Sequence, residues 1–141
     1  METEVFHTAG IITFRENSVL LVKHGEEAGH HTGVYGIPLG GIDEGESSVE
    51  AALRELGEET GLWAEPQRLV KLDHNYPATI DRKDGPRNYE IDVYYAPAVH
   101  GNERATAETQ PEWVPLTEVK DLDRLPIVDE AIRDTANLRQ S

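Results

Sequence analysis

Apolar positions come first in short extended runs. Ala9 to Phe14 and Ser18 to His24 are β-branched and aliphatic, and Arg15-Glu16-Asn17 between them predicts an antiparallel hairpin. Gly25 to Gly33 is polar, with three glycines and two adjacent histidines, and reads as a loop. Val34 to Leu39 is extended as far as Pro38, and Gly40-Gly41 begins a turn. The period then changes. Val49, Ala52, Leu53 and Leu56 recur at i, i+3, i+4 and i+7, which predicts a helix over Ser47–Thr60 with that stripe facing the core. Ser47 with Glu50 three residues later is a capping box, and Gly61 suits the left-handed stop. Arg68–His74 and Tyr89–Val99 are strand candidates, the second carrying Ile91, Val93 and Tyr95 on one face. Gly101 to Pro111 reads as a loop, Trp113 to Leu116 as a short extended piece, and Ile127 to Leu138 as a closing amphipathic helix. Strands on both sides of a central helix, with a helix at the end, predict an α/β or α+β domain whose helices cover a mixed sheet.

Composition narrows the function. The 141 residues fit one domain, 1–141, and no repeat or low-complexity stretch divides them. A net charge of −14 repels phosphate backbones and anionic lipids, so neither long nucleic acid nor a membrane surface is an expected partner. There is no Cys, so no disulfide and no thiol chemistry. Val19-Leu20-Leu21-Val22 is far too short to span a membrane, and Met1-Glu2-Thr3-Glu4 lacks a signal-peptide profile. The expected location is cytoplasmic.

The acids are unevenly placed. Residues 40–62, GGIDEGESSVEAALRELGEETGL, hold seven acids against one base, Arg54. At 100° per residue, Glu55, Glu58 and Glu59 fall within about 100° of one another on a flank of the helix. Carboxylates at i, i+3 and i+4 repel, each pair costing roughly 0.2–0.5 kcal/mol. A solvated acidic face is the plain reading, yet nothing in folding asks for such a cluster. Mg²⁺ or Mn²⁺ does, because these ions prefer oxygen ligands and bridge carboxylates to phosphates. Arg54 lies four residues after Glu50 and four before Glu58, placed to brace both.

These 23 residues resemble the Nudix box: Gly40, Glu46, Arg54, Glu55, Leu56, Glu58, Glu59, Gly61 and Leu62 fill all nine specified positions at the required spacing. Thr8 to Ile12 resembles the first strand of that family and Glu112 to Leu116 a late one, so the likeness covers nearly the whole chain. Where many members run Pro directly into the glycines, Leu39 intervenes between Pro38 and Gly40. The resemblance implies an α/β/α sandwich with a mixed sheet and the box as loop–helix–loop. It implies a hydrolase acting on a nucleoside diphosphate linked to another moiety, with Mg²⁺ or Mn²⁺ as cofactor. Glu55, Glu58 and Glu59 would ligate the metal, with the Leu39 backbone carbonyl adding a ligand. Gly40, Glu46, Gly61 and Arg54 would hold the box in shape. The metal would offset the substrate's charge and ease deprotonation of the attacking water. For the general base, Glu58 comes first, then Glu108 on the Gly101–Pro111 loop, which also reads as a solvated loop glutamate, with Glu112 just past that loop as runner-up.

Outside the box the residues carry less. Lys23, Arg82, Lys83 and Arg87 are spaced for phosphates, or for ordinary surface pairs. His24, His30 and His31 lack a partner that would complete a zinc site. Tyr35, Tyr76 and Trp113 offer rings for stacking on a base, or for sheet packing. Pro77 is spaced from the box as in ADP-ribose-type members, whereas Asp129 lies where oxidised-purine members read the base edge, or caps its helix. The rival class is a catalytically silent nucleotide sensor on the same fold. It has no reason to keep repelling acids. An isopentenyl-diphosphate isomerase is disfavoured by the missing Cys, and RNA decapping by the missing basic groove. The reading admits a homodimer.

Overall fold

The computed structural model describes residues 4–24, 33–82, 85–106 and 108–139. Strand β1 (Val5–Arg15) turns through Glu16-Asn17 into β2 (Ser18–His24), with Phe14 opposite Val19 and Arg15 opposite Ser18. The predicted hairpin is there, but it pairs only near its turn. Beyond it β1 finds other partners: β4 (Leu39–Gly41) runs antiparallel to it, and β6 (Gly85–Ala96) runs parallel to it from Val5↔Asn88 to Thr13↔Ala96. On β2, β3 (Tyr35–Gly36) pairs at Val22–Lys23, and β7 (Thr109–Pro115) pairs along Ser18 to His24. The sheet is therefore mixed, with order β3-β2-β1-β6 followed by β5 (Val70–Arg82).

Helices cover both faces. Helix α1 (Ser48–Thr60) buries Ala51, Ala52 and Leu56 against Ala9, Ile11, Leu20 and Ala96. Helix α2 (Pro126–Asp134) buries Ile127, Val128 and Ala131 against Ile12, Val19, Leu21, Ile91 and Val93. Alternate residues of β2 thus point into different cores, as a strand buried on both faces requires. The result is the expected α/β/α sandwich. No helix among the described residues is long and apolar enough to cross a membrane.

Four expected elements change. The strand candidates Arg68–His74 and Tyr89–Val99 overlap one long hairpin, β5–β6, which starts at Val70, continues to Arg82, resumes at Gly85 and ends at Ala96. Pro77 and Pro86 hid it, yet Pro77 lies on the edge strand β5, and Pro86 lies on β6 before its pairing with β1 begins at Asn88. The ladder's register shifts between Lys71 and Asn75. The predicted Gly101–Pro111 loop ends early, because Thr109 already pairs with His24 as the first residue of β7. The predicted helix Ile127–Leu138 is interrupted: Thr135 Oγ1 donates back to the Ala131 and Ile132 carbonyls at 2.9 and 3.0 Å, and a short α3 (Ala136–Arg139) follows. Finally, the face α1 buries is rotated from the predicted stripe. Val49 and Leu53 are only half-buried, whereas Ala51 and Thr60 are fully buried. That rotation turns Glu55 and Glu59 toward the sheet.

Candidate active site

Local sequence starts α1 as expected. The Ser47 hydroxyl accepts from the Glu50 amide at 3.1 Å, and the Glu50 carboxylate accepts from the Ser47 amide at 2.9 Å. Gly61 ends the helix at φ +80°. Its Cβ, if present, would lie 2.9 Å from the Asn102 carbonyl, so both backbone and space require glycine.

Arg54 is the hub. Its Nε and Nη2 donate to both oxygens of Glu46 at 2.8 and 3.0 Å, and Nη1 donates to Glu55 at 3.0 Å and Glu58 at 3.1 Å. Nη2 also donates to the Gly41 carbonyl at 2.8 Å, which ties the helix to β4. The expected brace to Glu50 is absent, because the Glu50 carboxylate is committed to its capping box. The Gly41 carbonyl was not foreseen, since no side-chain pattern marks a backbone acceptor.

The acids of this short segment titrate in opposite directions. Glu46 is pulled down to about 2 by its Arg54 hydrogen bonds, helped by the Asp43 amide. Glu50 is also lowered, by the Ser47 amide and hydroxyl. Glu55 is raised: its side chain is 13% exposed, and burial together with the Glu58 charge outweighs Arg54. Glu59 is raised further, by burial first and then by the Glu55 charge, against one opposing donor, the Leu39 amide at 3.0 Å. Glu58 is the exposed member of the trio. Glu108 is exposed, and its charge reaches Glu59.

This donor set fits a hard divalent cation. Glu55 and Glu59 are partly buried on one flank of α1, the Glu55 charge reaches Glu59, and every available donor is an oxygen. At Gly40 a Cβ would clash with the Glu55 carboxyl group, so glycine lets that carboxylate lie against the backbone. Among the described residues no three acidic or imidazole side chains form a finished metal cage, and Arg54 Nη1 stands between Glu55 and Glu58. At Leu39 the visible contact is the amide on Glu59.

The outlying candidates sort clearly. Tyr35 and Asp129 are brought to one region, because the Leu125 amide donates to the Tyr35 carbonyl at 2.9 Å and Leu125 leads into α2. Asp129 is not a helix cap: Leu125 holds that position, and the Asp129 carboxylate accepts from Arg124 Nε at 2.9 Å. The Tyr35 hydroxyl is pushed up to about 12 by burial and by Glu112 beside it. Tyr76 is core, its hydroxyl donating to Asp134 at 2.6 Å. Arg15 lies over the Trp113 ring at 4.3 Å, while Trp113 Nε1 donates to Glu103 at 2.7 Å. Arg87 lies over Phe6. His24 is buried at the end of β2. His30, His31 and Lys83 lie outside the described residues, as does the side chain of Arg82.

Comparison with known proteins agrees with this geometry. A family profile described as NUDIX domain matches residues 6–134. An oxidized purine nucleoside triphosphate hydrolase of Mus musculus is 30% identical over 128 residues, 89% of this chain and 76% of that protein. An RNA pyrophosphohydrolase of Cereibacter sphaeroides is 65% identical over only 34 residues, 24% of this chain and 21% of that protein. The crystal structure of a MutT NUDIX hydrolase from Burkholderia pseudomallei superposes with a TM-score of 0.77 at 23% identity, covering 94% of this chain and 99% of that one.

Proposed function

The chain belongs to the Nudix hydrolase family, and from that premise we propose that it cleaves the diphosphate linkage of a nucleoside diphosphate derivative, using Mg²⁺ or Mn²⁺. The observation that carries this reading is the partly buried pair Glu55 and Glu59 on one flank of α1, with Glu55 packed against Gly40 and held by Arg54, and Glu59 held by the Leu39 amide. A folded protein gains nothing by holding two repelling carboxyls there unless a cation joins them. Glu55, Glu58 and Glu59 would hold the metal, with the Leu39 carbonyl as a further ligand. When bound, the cation would neutralise the phosphates and make the attacking water more acidic. Arg54 fixes the rotamers of Glu55 and Glu58 through Nη1. Glu58, the exposed acid, takes the water proton, with Glu108 as the second choice.

For the substrate we favour a purine nucleoside triphosphate over ADP-ribose. The mouse relative supports this, since its match covers most of both chains. A cavity of about 160 Å³ lined by Pro77, Ile91, Leu125 and Ile127 supports it too. It offers an apolar seat for a base, with Tyr35 bonded to Leu125 and Asp129 two residues beyond Ile127. Pro77 lines the same cavity, so its spacing does not argue for ADP-ribose.

The test is a panel of purine nucleoside triphosphates, oxidised and ordinary, with ADP-ribose beside them, in Mg²⁺ and in excess chelator. Metal-dependent release of a nucleoside monophosphate from a triphosphate is the expected result. Tight nucleotide binding without any hydrolysis would leave the silent sensor standing instead.

A further inference from the structure

Two threonines next to Glu108 form a chain of hydroxyls that ends on α1. Thr109 Oγ1 donates to the Glu59 carbonyl at 3.1 Å. A carbonyl only accepts, so that bond uses the single proton of Thr109. Thr106 Oγ1 lies 2.9 Å from Thr109 Oγ1, and Thr106 must be the donor of that pair. Its own lone pairs accept from the amides of Glu108 at 3.2 Å and Thr109 at 3.0 Å. The direction is therefore fixed at every step: Glu108 amide, Thr106 hydroxyl, Thr109 hydroxyl, Glu59 carbonyl. The Thr106 amide closes the turn by donating to the Thr109 carbonyl at 2.8 Å.

The surroundings make this relay a junction. Thr109 is 6% exposed and is rooted in the sheet opposite His24. Upstream, the loop is stitched to the end of α1 at two more places: Trp63 and His100 exchange backbone bonds at 3.0 and 2.8 Å, and the Arg104 amide donates to the Thr60 carbonyl at 2.8 Å. Glu108 thus sits on a segment tied to the same helical turn that carries Glu59.

We propose that Thr109 is a positioning residue which, through the Thr106 hydroxyl, holds Glu108 in register with the Glu55–Glu59 end of α1. This rests on the reading of Glu108 as a metal or base group. Helix capping alone is the competing account, since the Glu59 carbonyl needs a donor at the C-terminus. The two differ in what happens to Glu108.

The full-length protein carrying Thr109→Val, Thr109→Ser, Glu108→Gln, or Glu108→Gln with Thr109→Val decides between them. Thr106→Ala, at an exposed position, tests the relay where Thr109→Val fails to fold. Thr109→Val is expected to lower kcat by about tenfold or more with KM within about twofold, and Thr109→Ser to restore it. The double variant is expected to be no slower than Glu108→Gln alone, because both changes disable one group. In metal-free protein, the Glu108 and Thr109 amides should exchange hydrogen faster in Thr109→Val and Thr106→Ala than in the parent or Thr109→Ser. Losses that multiply in the double variant, or unchanged exchange, would overturn the positioning role alone. A Glu108→Gln enzyme with the parent's rate would overturn the reading of Glu108, and this proposal with it.

Discussion

The two ends of α1 use the same residue type for opposite purposes. At its entrance, Glu46 and Glu50 meet donors on every side: Arg54, the Asp43 amide and the Ser47 amide. Folding stabilises their charges, and their pKa values fall. Two turns later Glu55 and Glu59 are pressed toward the sheet beside each other, and folding destabilises theirs. Arg54 belongs to both ends: Nε and Nη2 serve Glu46, and Nη1 serves Glu55 and Glu58. An acid that the fold satisfies is structural; an acid that the fold holds at a cost is a functional-site candidate.

The comparison breaks first at Glu59. Glu59→Gln keeps shape and most of the hydrogen-bonding while removing the most strained charge. Hydrolysis in Mg²⁺ should fall by about 100-fold or more, roughly 2.7 kcal/mol of transition-state stabilisation, while the metal-free protein melts higher than the parent. Paired rates and melts measure both. A variant that loses rate and stability together would mean the charge is structural after all.

Arg54→Ala should come next, because it strikes both ends. Two Glu46 bonds, the Glu55 and Glu58 bonds and the Gly41 carbonyl contact go together. Urea unfolding should show a loss of about 2–3 kcal/mol, with activity reduced as well. Arg54→Lys should recover little of either, since an ammonium cannot reproduce the fork.

Stability against pH sharpens the contrast without mutating the helix. Folding raises Glu55 and Glu59 above the ordinary 4.5, so their contribution favours the folded metal-free protein at low pH and is lost as pH rises through the raised values. Folding lowers Glu46, to about 2, and Glu50 as well, so theirs is present above 4.5 and is lost as pH falls through the lowered values. The melting temperature in chelator should rise from neutral pH to mildly acid pH, then drop below it. Glu59→Gln should flatten the first arm and leave the second. Saturating Mg²⁺ should also flatten the first, because ligation favours the ionised carboxylates.

How far this was readable beforehand differs along the chain. The caps of α1 and the acidic flank were legible, because they depend on spacing within one helix, which sequence fixes directly. The burial of Glu55 and Glu59 was not: the apolar pattern pointed to Val49 and Leu53, and only packing against β1 and β4 rotates the helix. The spacing of Arg54 predicts a brace to Glu50 and Glu58; the Glu58 bond forms and the Glu50 one does not, since spacing alone cannot tell that Glu50 is already engaged. The β5–β6 hairpin is hidden by Pro77 and Pro86, tolerated because β5 is an edge and because β1 joins β6 only from Asn88 onward. Thr109 escaped notice because its partner, the Glu59 carbonyl, is 50 residues away and has no side-chain signature.

The smallest effect is expected at the entrance. Ser47→Ala removes the hydroxyl that accepts from the Glu50 amide and leaves that donor to water. An N-cap of this kind is worth about 1 kcal/mol, and Ser47 is exposed, so no cavity adds to the loss. The Glu50 carboxylate keeps its bond to the Ser47 amide, so half the box survives. Nothing at Glu55, Glu58 or Glu59 changes. The variant should therefore lose about 1 kcal/mol in urea unfolding yet hydrolyse its best substrate at the parent's rate, with unchanged dependence on Mg²⁺. A matched loss of rate would mean that the entrance and the acidic end are not separable, and that the register of the whole helix, rather than the local charge imbalance, sets the activity.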